Sequence, residues 1–373
     1  MTVTNTNTAT NTKTHTATKT TNTKARTHIR TWSATTLIAA VALTAACSAA
    51  QDKGAAQPLT GQGINNNGLP TAPTAKSPTP CGREATEATW PGGTLPGPKD
   101  PVPAGGTLDK IRKRTFLIAG IDLNTYLFSY DPHHTNEPQG FDVDIAKAMA
   151  RAIFGEDGHI QFRMVTLADP TTGEYAQLHN GNIDMAVHTT TITCARMQGD
   201  QHMSFSNPYY ITEQKLLMPL GDDGKPQKFG LADLKGTGKK VCATLNSTAV
   251  DTIKKQAGED AVYQAPYALD CLALLQQGKV DAVFTDDALL RGMEAQDPHV
   301  ARTTAPPVQI QPYGIVTNYV SPDKPNDLTP FVNTALANLI ADNGPDGWKN
   351  LYAHDLQTPP NGLPQIPDQY PLG

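Results

Sequence analysis

"IDMAVHTTTITCARMQGDQHMSFSNPYY", residues 183–210, decides how this chain is read. An apolar run from Ile183 to Val187 empties into a histidine, four threonines, a cysteine and Arg196, and an "FSNPYY" segment follows within ten residues of the arginine. A buried strand of a parallel sheet ends in this way when its carboxyl end opens on a cleft, because ligands of such sheets sit beyond the strand ends. Other segments repeat the pattern. "TLNST" (244–248) follows the apolar "KKVCA", and "TDD" (285–287) follows "DAVF". One polar cluster alone would be a turn, but three of them look like the walls of a cleft.

Working outward, apolar runs alternate with amphipathic segments from Thr107 onward. "TFLIAGI" (115–121), "IQFRMV" (160–165) and "IDMAVHT" (183–189) read as strands. "FDVDIAKAMARAIFG" places Ile145, Met149, Ala152 and Ile153 on one helical face, with Gly155 as the stop. "GEYAQLHNG" reads as a short helix. A second set follows: "KKVCATL" (239–245), a helix from about Ser247, "CLALLQQGK" as a helix and "DAVFTD" (281–286) as a strand. "PYGIVTN" (312–318) and two further helices, "DLTPFVNTALANLIA" and "DGWKNLYAHDL", close the series. Strand and helix alternating twice predicts an α/β fold of two lobes, each a mainly parallel sheet flanked by helices, with a cleft between.

The first 46 residues read as something other than fold. Residues 2–31 are Thr- and Asn-rich, and "ATTLIAAVALTAA" then runs from Ala34 to Ala46 without a charge. Thirteen residues are too few to cross a bilayer and suit the apolar region of a signal peptide. "LTAAC" ending at Cys47 matches the cleavage and lipidation pattern of bacterial lipoproteins, with Thr44 unusual at its position; simple cleavage and secretion is the competing reading. From Ser48 to about Gly106 the Pro-, Gly-, Ala-, Thr- and Asn-rich composition carries no periodicity, which predicts a disordered tether.

Charge and cysteines narrow the functional classes. The formal net charge is −5, but five bases and no acid precede Cys47; the remainder carries 25 bases against 35 acids, a net −10. Such a surface repels nucleic acid. Of five cysteines, four remain if Cys47 is lipidated, and an even number outside the cytoplasm suggests two disulfides with three possible pairings. No CxxC, GxSxG or HExxH is present. "GTGKK" (236–240) lacks the first glycine of a phosphate loop, and His133 and His134 in "DPHHTNE" read as a solvated loop before a metal site. "FDVD" (141–144) places Asp142 and Asp144 at a helix start, where capping and dipole compensation compete with a catalytic or metal pair. Arg196 presents a planar fork matched to a carboxylate. In "TLNST", Ser247 is a candidate N-cap and Asn246 tolerates a left-handed turn, so cap and anion site are compatible there. Asp286 suits an ammonium and Asp287 suits the cap of the next helix, or the reverse.

Taken in order, "GFDVDIAKAMA", "GNIDMAV…TTTIT.AR", "FSNPYY", "KVCATLNSTA", "CLALLQQGKVDAVFTDD" and "PYGIV" resemble the polar amino-acid substrate-binding proteins of ABC importers, which have the type-2 periplasmic-binding-protein fold. The resemblance covers roughly residues 107–356 and is similar in particular to lipid-anchored glutamate- and glutamine-binding proteins of high-GC Gram-positive bacteria. It implies lobe 1 over 107–208 and 313–373 and lobe 2 over 209–312, after a signal peptide (1–46) and a lipidated tether (47–106). It implies that Thr191 and Arg196 hold a ligand's α-carboxylate. The backbone at His188 and Thr189 would accept from its ammonium, Asn246, Ser247 and Thr248 would add carboxylate donors, and Asp286 would take the ammonium. Asp122, Tyr126, Phe128 and Thr171 complete the implied ligand set, with an aromatic wall from the first-strand loop.

The resemblance further implies the disulfides Cys81–Cys194 and Cys242–Cys271. It implies no cofactor or metal, a monomer outside the cell membrane, and permease and ATPase partners. Two departures leave the ligand open between an amide and an acid among glutamate, glutamine, aspartate and asparagine. Glu174 falls near the place where acid-binding members carry an arginine, and His188 where relatives carry a positive charge. A ligand-sensing subunit for a membrane receptor and a dehydratase-type enzyme on the same fold, with Glu174 as its acid, are the rival readings.

Overall fold

The computed structural model describes residues 80–373 apart from 168, 170–171, 199–201, 320–325 and 359–361. The signal-peptide segment, Cys47, the first part of the tether and Thr171 lie outside the described residues. In chain order the elements are α1 (Thr107–Arg114), β1 (Leu117–Ile121), α2 (Phe141–Phe154), β2 (Ile160–Met164), α3 (Glu174–His179), β3 (Met185–Ala186), α4 (Cys194–Gln198) and β4 (Met203–Pro219). Then come β5 (Val241–Thr244), α5 (Thr248–Gln256), β6 (Val262–Ala265), α6 (Ala268–Gln276), β7 (Ala282–Asp286), α7 (Asp287–Gln296), β8 (Val300–Arg302), β9 (Ile310–Asn318), α8 (Leu328–Ala341) and α9 (Trp348–Leu356). Among the described residues no helix is long and apolar enough to cross a membrane.

The strands run in the order β2-β1-β3-β9-β4-β7-β5-β6, with β8 paired to β4. β1 is parallel to β2 and β3, and β5 is parallel to β6 and β7. Between these two parallel sets lie β4 and β9, antiparallel to each other and to the strands they adjoin. β4 is 17 residues long and serves both lobes: Met203–Glu213 pairs along β9, and Gln214–Leu217 pairs with β7. Its register against β9 shifts between Phe205 and Pro208 and again between Pro208 and Tyr210. Proline has no N–H to give a ladder, and irregularities of this kind bend a strand. The crossing is therefore irregular over Phe205 to Tyr210.

Each lobe fills its own core. Ile145, Met149 and Ile153 of α2 are buried as the spacing predicts, beside Phe141, Leu108, Ile111 and Phe331; Ala152 is half-buried at the edge. Lobe 2 packs Leu216, Val241, Ile253 and Phe284 on one side and Leu217, Leu272, Val283 and Leu290 on the other. Gly140 precedes α2 with φ 115, and a Cβ there would stand 2.5 Å from the Phe128 carbonyl oxygen. Only glycine lets the loop after β1 settle on the start of α2, where the Phe141 and Asp142 amides donate to the Leu127 and Phe128 carbonyls.

One expectation is corrected. The tether, read as disordered to Gly106, folds from Pro80 onward. Cys81 is bonded to Cys194, Trp90 meets Phe331 edge-on at 5.9 Å, and Leu95 and Val102 pack on the lobe 1 core. Three scattered apolar side chains make no periodic signal, and the Trp90 partner Phe331 lies more than two hundred residues further along. The second disulfide joins Cys242 of β5 to Cys271 of α6. Asn333 of α8 locks the N-terminal segment in place. Its amide nitrogen donates to the Thr86 and Ala88 carbonyls, both at 2.6 Å, and its oxygen accepts from the Asn207 amide at 2.7 Å. Asn333→Ala leaves three main-chain groups without this partner in a buried site, and urea denaturation should show a loss of about 2–4 kcal/mol. A change within about 0.5 kcal/mol would mean the segment is not fixed by these bonds.

Candidate functional site

A cleft enclosing about 540 Å³, its open mouth included, is lined from both lobes. Lobe 1 contributes Asp122 and Thr125 after β1, Thr166 after β2, His188, Thr189 and Thr191 after β3, and Arg196 of α4. Lobe 2 contributes Thr244, Ser247 and Thr248 at the β5–α5 junction, Tyr267 before α6, and Thr285 of β7. The polar clusters that end β3, β5 and β7 thus meet across one cavity.

Of the residues singled out in the sequence, Asp122, His188, Thr189, Thr191, Arg196, Ser247 and Thr248 line this cleft. Arg196 is held by a 2.7 Å bond from Nη1 to the Thr191 carbonyl. Thr189 takes a left-handed φ of 48, a strained value for a β-branched residue. Ser247 occupies the N-cap position of α5, yet its buried hydroxyl caps nothing and has no hydrogen-bond partner among the described residues. Thr248 instead spends its hydroxyl on the crossing strands, donating to Gln311 and accepting from Gln214, both at 3.0 Å.

Four singled-out residues lie elsewhere. Phe128 is buried in the lobe 1 core against Phe141 and Tyr210. Tyr126 stacks obliquely on Tyr130 at 4.8 Å, and its carbonyl abuts Gly292 of α7, where a Cβ would come within 2.5 Å. The aromatic side chain in the cleft lining is Tyr267 of lobe 2. Asn246, left-handed at φ 58, sits exposed on an adjoining recess with Thr193, Asp251 and the other face of Arg196. Asp286 stands at the N-cap position of α7 behind Thr285, accepting from the Tyr313 hydroxyl at 2.6 Å. Burial pushes its carboxyl up to about 7 despite the opposing Tyr313 bond and Arg196 charge.

A scan against protein families matches residues 117–344 to the bacterial extracellular solute-binding proteins, family 3. The chain belongs to this family. It is 35% identical over 209 residues to a glutamine-binding protein of Geobacillus stearothermophilus, covering 56% of this chain and 75% of the relative. It is 32% identical over 209 residues to the ABC transporter glutamine-binding protein GlnH of Bacillus subtilis, covering 56% and 72%. Among solved structures, the arginine-, lysine-, histidine-binding protein ArtJ of Geobacillus stearothermophilus superposes with a TM-score of 0.54 at 26% identity, over 66% of this chain and 97% of that one. The two-lobe architecture is therefore that of a binding-protein family.

Behind the lining stand two buried acids, Asp142 and Glu174, that the implied ligand set left out. Asp142 of α2 is fully buried; its carboxyl accepts from the Tyr209 hydroxyl at 2.7 Å and from the Thr189 amide at 2.9 Å. Burial lifts it to about 7, against the Tyr209 bond and the His188 charge. Glu174, at the start of α3, accepts from the Thr190 hydroxyl at 2.7 Å and lies 3.3 Å from His188 Nδ1. His188 Nε2 lies 3.6 Å from Asp122 on its other side. Burial disfavours the imidazolium, but the two carboxylates outweigh it and raise His188 to about 10. Burial likewise raises Asp122, yet the His188 and Asn124 bonds prevail and hold it below the usual carboxylate value.

The candidate metal-binding groups among the described residues stand away from the cleft lining. Asp131 spends its carboxylate on the His133, Thr135 and Asn136 amides of its own loop. Asp144, His354 and Asp355 bring ligand atoms within 4.8 Å of one another, and none of the three lines the cleft.

Asp142 gives a pH signature. Its folded value, about 7, stands above the ordinary 3.8, so the folded form holds the proton more tightly than the unfolded chain between those values. The stability this confers is present at low pH and lost as pH rises towards 7. Asp142→Asn keeps a neutral group throughout. Urea titrations should therefore show the variant gaining on the wild type by about 3–4 kcal/mol between pH 4 and pH 8. A difference that does not move with pH would mean the carboxyl titrates normally.

Proposed function

We propose that this protein is a lipid-anchored, extracytoplasmic binding protein that captures a polar amino acid, among glutamine, glutamate, asparagine and aspartate, and delivers it to an ABC importer. The observation that carries the reading is a cleft lined by the Arg196 guanidinium of lobe 1, with the Asp286 carboxyl buried directly behind its lobe 2 wall at Thr285. Arg196 projects from α4, just after the threonine-rich loop of lobe 1, and the buried Asp286 ends β7 of lobe 2. An α-carboxylate against the guanidinium and an α-ammonium near Asp286 satisfy both, with the unpartnered Ser247 hydroxyl as a further donor. Relatives that bind glutamine and belong to ABC transporters support the class of ligand and of partner.

Affinity needs no covalent chemistry. Charge-assisted bonds contribute roughly 1.5–3 kcal/mol each, and four or five of them, less immobilisation, reach about −8 kcal/mol, a micromolar constant. Lobe closure by bending at the irregular β4–β9 crossing would bring the two walls onto the ligand. The closed shape would then be what a permease reads.

Calorimetry of the stripped protein with these amino acids is the test. Arg196→Ala should weaken binding by about a hundredfold or more, since it removes about 3 kcal/mol of charge-assisted bonding. Retained affinity would overturn the carboxylate assignment. The anchor is tested separately. Cys47→Ser should move the protein from the membrane fraction to the medium, as expected when the acyl chains are the attachment. A variant that stays with the membrane would exclude that anchor.

A further inference from the structure

Helix α7 follows β7 of lobe 2, yet one of its faces rests on lobe 1. Leu290 and Met293 are buried in the lobe 2 core, and Asp287 and Glu294 pair with Arg302 of β8 at 2.7 and 2.9 Å. Ala288, by contrast, is buried in the lobe 1 core, and Gly292 follows it one turn later. A Cβ on Gly292 would stand 2.5 Å from the Tyr126 carbonyl oxygen and 3.5 Å from the Tyr126 Cβ. Arg291, beside it, reaches the end of α9. Its Nη2 donates to the Thr358 hydroxyl at 2.9 Å and to the Leu356 carbonyl at 3.4 Å.

Two features set this face apart from ordinary packing. Glycine inside a helix is destabilising relative to alanine, because it orders a freer backbone. Gly292 is not among the residues of positive φ, so its conformation does not call for glycine; the approach of Tyr126 does. Arg291 places a cation at the carbonyl end of α9, where the helix dipole favours it, although Trp348 and Leu356 of α9 belong to the lobe 1 core. Both contacts lie off the β4–β9 crossing and close to the cleft. Thr125, which precedes Tyr126, and Leu289, three residues before Gly292, line the cavity. The lobes therefore do not part at the cleft without parting Gly292 from Tyr126.

We propose that α7 is a latch: its Arg291–Gly292 face docks on Tyr126 and on the end of α9, and holds the lobes in the arrangement that encloses a bound amino acid. The inference rests on the amino-acid reading of the cleft. Neither Arg291 nor Gly292 lines the cavity, so both are positioning residues. They set affinity through the fraction of molecules in the binding-competent arrangement, because a protein that populates that arrangement less binds more weakly in proportion.

Gly292→Ala separates the latch from the fold. Alanine is the better helix former, so the substitution favours α7 itself while its methyl group meets the Tyr126 carbonyl. The test is titration calorimetry on the full-length protein freed of bound amino acid, using glutamine, asparagine, glutamate and aspartate. The variant is expected to bind the tightest of them about tenfold or more weakly than the wild type, while the urea midpoint of the ligand-free protein is not lowered. Arg291→Ala should weaken binding by about threefold or more, and Arg291→Lys, which keeps a cation at the end of α9, should recover part of that loss. Equal affinity in Gly292→Ala and the wild type overturns the latch. So does a loss of affinity matched by a lower urea midpoint, the mark of a packing defect. Should Gly292→Ala fail to fold, the arginine variants decide, and unchanged affinity in Arg291→Ala overturns the latch. In each of these outcomes the wild type still binds and the amino-acid reading survives. A wild type silent towards all four overturns both.

Discussion

The cleft depends on a buried bond pattern around Asp142. Its carboxyl, enclosed by lobe 1, takes the Tyr209 hydroxyl and the Thr189 amide. Thr189 is held at φ 48, which costs a β-branched residue on the order of 1–3 kcal/mol. Two hydrogen bonds to a carboxyl that is partly ionised near neutrality contribute about as much or more, roughly 1.5–3 kcal/mol each to a charged acceptor. The strained turn survives on that margin. Because the chain turns there, His188 and Thr191 face the cavity where a continued strand would have carried them past it. The same carboxyl ties α2, the β4 crossing strand and the cleft-lining loop into one unit.

The crossing strands do the corresponding work between lobes. Tyr209 reports to Asp142 in lobe 1, while Tyr313 on the paired strand donates to Asp286 at the end of β7. The two tyrosines lie 6.4 Å apart, ring to ring. Gln214 and Gln311, further along the same strands, share the Thr248 hydroxyl at the start of α5. Three acidic or polar anchors of the site are therefore fastened to one pair of strands, and that pair has its only register shifts at Phe205 to Tyr210.

This arrangement explains what the sequence discloses and what it hides. Helix faces and buried strands are legible because apolar spacing is local, as with Ile145, Met149 and Ile153 of α2. The strand read over 183–189 shrinks to Met185–Ala186, since pairing to β9 is confined to two residues and the chain turns at Thr189. Arg196 and the threonines are legible as a polar cluster at a strand end. Asp142 is not: an acid in the first turn of a helix is equally well explained by the dipole, and only Tyr209, 67 residues away, distinguishes the two. Phe128 and Tyr126 stand in a loop without periodicity, so nothing local indicates that one is core and the other abuts α7. The folded stretch from Pro80 is hidden for the same reason, its partner Asn333 lying about 245 residues on.

Arg196 shows how far such long-range dependence reaches. The helix that carries it, α4, has five residues, too short to hold its shape in water on local bonding alone. It is held from both ends of the folded chain. Cys194, its first residue, is bonded to Cys81 across 113 residues, a loop whose closure limits the unfolded state by about 4–5 kcal/mol in the chain-entropy model. Its first two amides, of Cys194 and Ala195, donate to the Pro371 and Leu372 carbonyls at 2.8 Å. Tyr370 in turn donates its amide to the Cys81 carbonyl, so the two braces are tied to each other. The guanidinium's aim is thereby set by segments far outside the loop that supplies it, which is why a helix of only five residues can still present an arginine in one fixed direction.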